Sequence, residues 1–171
     1  MEIIIEELGE SGESFDRVYE DGEILLDEEH ARLIEPPEVH GQAVRKGDKV
    51  RVNGTVSALA EVDCDRCLKR IEAPIETAFD VTYVPGSVLN EEGAHEVGED
   101  ELEFSFYDEP VIDIDELVRE QILLALPSRL LCTEDCKGLC PVCGANRNEV
   151  ENCGCEQNEI DPRWSALKNL N

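Results

Sequence analysis

Between Lys49 and Tyr83 the chain alternates apolar and polar side chains on both sides of one short interruption, Cys64-Asp65-Arg66-Cys67. Before it, Val50, Val52, Val56, Ala58, Ala60 and Val62 share a face. After it, Ile71, Ala73, Ile75, Phe79, Val81 and Tyr83 do the same, with Arg70, Glu72, Glu76 and Asp80 opposite. A period of two is the signature of a strand buried on one side. Two such runs across a short connection predict neighbouring antiparallel strands, with the cysteine pair at the hairpin tip.

Other segments extend this core. Residues 39–45 read as a strand and Lys46-Gly47-Asp48 as a turn. Residues 2–8 and 15–19 read as two short strands around Gly9-Glu10-Ser11-Gly12, and residues 27–30 as a helical turn. Pro36-Pro37 marks a boundary that no helix crosses. Further strands are expected at 103–107 and 111–114. Asp113-Ile114-Asp115-Glu116 then resembles a capping box for a helix over 115–126, whose Leu117, Val118, Ile122, Leu124 and Ala125 would cover the sheet before Pro127 ends it.

The predicted fold is α+β: an antiparallel β-meander covered by one main helix, followed by a Cys-rich C-terminal tail. Residues 1–127 form an acidic body, within which 86–103, rich in Gly and Glu, form a flexible loop. Residues 128–171 form the tail. Its last segment has Pro162 at a helix start and Trp164, Leu167 and Leu170 spaced for one face. A chain of 171 residues buries a core without staples, and with four Phe, three Tyr and one Trp that core is aliphatic.

The formal charge is -26, from 41 acidic and 15 basic residues. A field of that sign repels phosphate backbones and anionic membranes and favours a basic partner. The balance is uneven, since residues 1–126 hold 34 acidic and 10 basic side chains against 7 and 5 in residues 127–171. A local positive bias runs from Arg45 to Arg70. It makes Arg45, Lys46, Lys49, Arg66, Lys69 and Arg70 a candidate contact patch for RNA phosphate, with a solvated, lysine-protected strand edge as the alternative. The N-terminal stretch lacks the basic and apolar regions of a signal peptide, and no run of eighteen apolar residues occurs, so a cytoplasmic location is expected.

In a reducing cytosol clustered thiols read as metal ligands or redox groups rather than disulfides. Six of the eight cysteines, Cys132, Cys136, Cys140, Cys143, Cys153 and Cys155, fall in the last forty residues. Cys140-Pro141-Val142-Cys143-Gly144 reads as a metal knuckle, its glycine permitting a turn that side chains resist. Two more thiols must complete a tetrahedral site. The leading set is Cys132, Cys136, Cys140 and Cys143. Cys153 and Cys155 are alternative ligands, and Cys64 and Cys67 would serve only if the tail folds back onto the hairpin. Zinc is the expected metal, with an iron-sulfur cluster or free reduced thiols as alternatives. Cys64 and Cys67 taken alone lack two ligands. Arg66, Lys69 and Arg70 would lower a thiol pKa there, which leaves a thiol redox role open, although redox pairs of the thioredoxin type open a helix rather than a hairpin.

Nothing else resembles a catalytic site. His30, His40 and His95 are scattered, and no phosphate loop, Gly-x-Ser-x-Gly or His-Glu-x-x-His occurs. The Cys64-Asp-Arg-Cys67 hairpin, the helix ending Ile122-Leu-Leu-Ala-Leu-Pro127, the run from Cys132 to Asn146 and the final Asp161-Pro-Arg-Trp164 together resemble the YceD family of bacterial large ribosomal RNA subunit accumulation proteins. The resemblance spans roughly residues 39–170. It implies a non-enzymatic factor for synthesis, processing or stability of 23S ribosomal RNA. With a charge of -26, such a factor is expected to work through ribosomal proteins or processing factors, touching RNA only locally. Zinc in this reading fixes the tail rather than performing chemistry; a thiol redox protein using Cys64 and Cys67 and a purely structural zinc module are the alternative readings.

Overall fold

The computed structural model describes residues 1–9, 11–87, 104–150 and 152–155. The chain forms two compact units, residues 1–62 with 72–128, and residues 63–71 with 129–171. The hairpin tip is thus grouped with the tail, whereas the division at 127/128 leaves it with the body.

The strands are β1 (Glu2–Ile4), β2 (Glu13–Val18), β3 (Ala31–Lys46), β4 (Lys49–Asp63), β5 (Arg70–Pro85), β6 (Phe104–Tyr107) and β7 (Val111–Asp113), followed by helix α1 (Ile114–Ala125). The alternation in β4 is largely realised: Val50, Val52, Val56, Ala60 and Val62 are buried, Ala58 on the same face is half-buried, and Lys49, Arg51, Asn53, Thr55 and Ser57 are exposed. Five strands lie in the order β2-β3-β4-β5-β6. β2 pairs antiparallel with β3, and β3 antiparallel with β4. Gly47 at φ 63° supplies the positive φ that a two-residue hairpin between Lys46 and Lys49 requires.

The sheet departs from a pure meander at its edge, where β6 runs parallel to β5. Residues 86–103, between those strands, are long enough for the return that a parallel neighbour needs. Residues 88–103 of the expected acidic loop, and the expected helix at 162–170, lie outside the described residues.

Four other expectations change. β1 does not pair with β2; it joins β7 in a separate antiparallel pair, with Ile3 opposite Ile112 and both buried. Residues 27–30 are not helical, Asp27 having φ 55° and Glu28 bridging Ala31. β3, expected over 39–45, begins at Ala31 and runs through Pro36-Pro37. Its register slips between Leu33 and Glu35 and again between Glu35 and Glu38, the second slip spanning the two prolines, which have no N–H for a regular ladder. In β5 the buried position after Phe79 is Val84, with Val81 and Tyr83 only half-buried, so the alternation changes phase.

Gly41 and Gly54 face each other across β3 and β4. A Cβ on Gly41 would fall 2.4 Å from Phe15 Cζ, and one on Gly54 2.8 Å from Phe79 Cζ, so the bare backbone makes room for two rings.

Of the expected capping box, the N-cap half is realised in α1, while the Glu116 carboxylate accepts from Arg119. The Asp113 carboxylate accepts from the N–H groups of Asp115 at 2.9 Å and Glu116 at 3.3 Å, two donors with no partner inside the helix. The helix buries Ile114, Leu117, Val118 and Ile122 and packs against β1; Leu124, expected on that face, is 78% exposed. Among the described residues, no helix is long and apolar enough to cross a membrane.

Candidate metal centres

Two short loops in the second unit fold alike. In the first, the Cys64 N–H donates to the Lys69 carbonyl at 2.9 Å and the Leu68 N–H to the Cys64 carbonyl at 2.9 Å. In the second, the Cys140 N–H donates to the Ala145 carbonyl at 2.8 Å and the Gly144 N–H to the Cys140 carbonyl at 2.9 Å. The leading sulfur accepts backbone N–H groups in both, from Arg66 and Cys67 at Cys64, and from Val142 and Cys143 at Cys140. The residue after the second cysteine is left-handed in both, Leu68 at φ 58° and Gly144 at φ 72°. These are equivalent knuckles, each presenting two sulfurs to one side. The leucine hides the likeness in the sequence, since a side chain rarely occupies that conformation.

Each knuckle has a full complement of partners. The sulfurs of Cys64, Cys67, Cys132 and Cys136 lie within 4.8 Å of one another, and so do those of Cys140, Cys143, Cys153 and Cys155. The Cys64–Cys136, Cys67–Cys132 and Cys140–Cys153 sulfurs stand 3.7, 3.5 and 3.4 Å apart. Four thiolates about 2.3 Å from one zinc ion would be separated by roughly 3.8 Å, so the donor sets fit such an ion in kind and in spacing.

The first group is the more enclosed. Cys64, Cys67 and Cys136 are buried, Cys132 is half-buried, and Leu131 and Leu139 pack against them. Backbone pairing brings the segments together: the Asp65 N–H donates to the Leu130 carbonyl at 2.9 Å and the Leu139 N–H to the Arg66 carbonyl at 3.1 Å. Side chains add to this, as the Leu130 N–H donates to the Asp65 carboxylate at 2.7 Å and Arg66 Nη1 to the Cys136 carbonyl at 2.7 Å. The sulfurs have their own donors, the Cys132 N–H toward Cys64 at 3.4 Å and Asn148 Nδ2 toward Cys136 at 3.3 Å. In the second group Cys140 is buried, Cys143 exposed, and Cys153 and Cys155 half-buried.

The electrostatics prepare thiolates. Burial pushes the Cys64 thiol up, but the N–H groups of Arg66, Cys132 and Cys67 outweigh it and hold it at about 6. The Cys143 and Val142 N–H groups, with the Cys153 thiol, bring Cys140 to about 6 against its burial. Cys136 is also lowered: burial opposes, and the Gly138 N–H and Asn148 prevail. At Cys67 the Lys69 N–H pulls down, yet burial and the thiols of Cys132, Cys64 and Cys136 push it up to about 12. The thiols of Cys143 and Cys153, with burial, push Cys155 up to about 12. Each group therefore sets one thiol lowered to about 6, Cys64 or Cys140, beside one pushed up to about 12, Cys67 or Cys155.

The structure does not bring Cys132, Cys136, Cys140 and Cys143 together as one tetrad. The run is divided, Cys132 and Cys136 joining Cys64 and Cys67, and Cys140 and Cys143 joining Cys153 and Cys155. Gly138, at φ 71°, sits at the turn between the two pairs. The pairing of Cys64 with Cys132 and Cys136 spans about seventy residues, and only the recurrence of paired cysteines signals it in the sequence. Asn148 carries no such signal.

The basic patch is divided as well. Arg45, Lys46 and Lys49 belong to the first unit and Arg66, Lys69 and Arg70 to the second. Several hold internal contacts: Arg45 donates to the Ile5 carbonyl at 3.0 Å, Lys49 lies 4.6 Å from the Phe104 ring centroid, and Arg70 stands 4.0 Å from Asp63.

Residues 52–171 match the family profile of the large ribosomal RNA subunit accumulation protein YceD. An uncharacterized protein of Mycobacterium tuberculosis is 31% identical over 119 residues, covering 69% of this chain and 54% of that protein. The large ribosomal RNA subunit accumulation protein YCED homolog 1, chloroplastic, of Arabidopsis thaliana is 29% identical over 158 residues, covering 79% of this chain and 48% of its own length. The chain thus spans about half the length of these relatives. The uncharacterized protein YlbN of Bacillus subtilis is 28% identical over 159 residues, covering 91% of this chain and 86% of its own. No solved structure matches the chain. The extent of the profile match, across both knuckles and α1, places the chain in the YceD family of large ribosomal RNA subunit accumulation proteins.

Proposed function

We propose that the chain is a non-enzymatic, cytoplasmic factor that supports synthesis, processing or stability of 23S ribosomal RNA by holding a basic protein partner. Family membership supports the link to large-subunit RNA. The observation that carries the protein-partner reading is the segregation of charge. The first unit has 32 acidic and 7 basic residues, whereas the second has 9 and 8. A surface so one-sided repels RNA phosphate over most of its extent and attracts the Lys- and Arg-rich surfaces of ribosomal proteins. Zinc is the structural metal of the second unit in this reading, holding segments that contain few apolar residues to pack.

Two measurements test the reading. Loss of the protein should raise large-subunit precursor levels. Purified protein should bind basic large-subunit ribosomal proteins, with an affinity that falls as salt rises, and should bind naked 23S fragments weakly at physiological salt. Tight binding to the fragments alone, or normal precursor levels without the protein, would overturn it.

A further inference from the structure

We propose that the chain holds two zinc ions at separate and unequal sites, and that the outer ion can be removed while the inner one stays. Cys64, Cys67, Cys132 and Cys136 form the inner site; Cys140, Cys143, Cys153 and Cys155 form the outer one. The inference rests on zinc being the structural metal and adds the number of ions, their ligands and their order of release.

The count follows from how the thiols are shared out. Each group has four sulfurs within 4.8 Å of one another, and no cysteine belongs to both. Four thiolates saturate a structural zinc ion, so neither group needs to borrow a ligand. The two groups are also built alike, one knuckle plus one further pair: Cys132 and Cys136 complete the first, Cys153 and Cys155 the second.

The order follows from enclosure and connectivity. Three of the four inner sulfurs belong to residues no more than 5% exposed, and Leu131 and Leu139 cover them. Their ligands come from segments 65 to 72 residues apart in the chain, cross-linked by the backbone bonds of Asp65 and Leu139. Opening that site means separating two paired segments. The outer ligands come from one stretch, residues 140–155, and Cys143 is exposed. A chelator can reach that sulfur first, and the stretch can open while the Asp65–Leu130 and Leu139–Arg66 backbone bonds of the inner site hold, even though it gives up the Asn148 bond to Cys136. On loading, each zinc ion displaces the remaining thiol protons into solvent; on removal, zinc passes to the chelator and protons return, with no change in oxidation state.

The test uses the full chain purified under reducing conditions. Elemental analysis should give two zinc per chain. Graded chelation should then release zinc in two steps. Alkylation followed by peptide mass mapping should label Cys140, Cys143, Cys153 and Cys155 after the first step, and Cys64, Cys67, Cys132 and Cys136 only after the second. Cys155→Ser should retain one zinc with the inner four thiols protected. Cobalt titration of the wild type offers a check independent of any variant, since two equivalents should saturate the tetrahedral thiolate bands. Two zinc released together, or the inner thiols labelled first, would overturn the order. One zinc with the Cys140 group reactive in the loaded protein would overturn the two-site inference while leaving zinc as the metal. No zinc, with all eight thiols reactive, would overturn both.

Discussion

Replacing Gly138 with alanine should weaken zinc binding far more than the same change at Gly144, although the two glycines have nearly the same backbone conformation, φ 71° and 72°. That conformation costs an L-residue about 1 kcal/mol or somewhat more. At Gly144 nothing lies within 4 Å of the added Cβ, so that cost is the whole effect. At Gly138 the Cβ would fall 3.0 Å from the Arg66 carbonyl oxygen and 3.4 Å from Arg66 Cβ. The carbonyl cannot retreat freely, because it accepts the Leu139 N–H at 3.1 Å and so ties the tail to the first knuckle. Losing or stretching that bond adds about 1 to 2 kcal/mol. The sum, about 2 to 3 kcal/mol, corresponds to roughly 30- to 150-fold, against about 5-fold for Gly144→Ala. Competition between the protein and a chromophoric chelator reads both affinities. Equal losses for the two variants, or a larger loss for Gly144→Ala, would refute the reasoning that the Gly138 turn fastens one segment to the other.

Asp113→Ala should cost about 1 kcal/mol in chemical denaturation, because two N–H groups at the start of α1 lose their acceptor; an unchanged midpoint would contradict the cap. Gly41→Ala should destabilise the first unit by about 2 kcal/mol or more, since the new Cβ meets Phe15 at 2.4 Å, and near-neutrality in thermal unfolding would show that the ring can move aside cheaply. In metal-free protein, thiolate absorbance should show groups titrating at about 6, as the positions of Cys64 and Cys140 require. These two thiols are depressed from the ordinary range. The stability they contribute is therefore present above that range and lost as pH falls through about 6. If every thiol titrates together near the ordinary value, the N–H cradles of the two knuckles are not holding thiolate.

Much of the fold was legible because its signals are local. The period of two in β4 reports a face buried over its length, and Asp113 followed by Asp115 and Glu116 reports a helix start; both depend only on residues a few positions apart. What stayed hidden depends on partners distant in sequence. Nothing within residues 2–8 says that β1 will pair with β7, and nothing within residues 104–107 gives the direction of β6. The metal centres divide in the same way. The Cys140 knuckle is readable from its own glycine, whereas Leu68 occupies the matching left-handed position without the residue that would announce it. Proximity in sequence also misled, because Cys136 and Cys140, four residues apart, point into different groups across the Gly138 turn. Charge was legible both as a total and as a concentration in the body, 34 acidic to 10 basic over residues 1–126; assigning residues 63–71 to the second unit sharpens this to 32 to 7.

A crystal structure of the zinc-loaded protein, phased on zinc anomalous scattering, tests the central claim most directly. Two anomalous peaks per chain are predicted, one ringed by the sulfurs of Cys64, Cys67, Cys132 and Cys136 and the other by those of Cys140, Cys143, Cys153 and Cys155. A single peak ligated by Cys132, Cys136, Cys140 and Cys143, with Cys64 and Cys67 standing apart from it, would contradict the account.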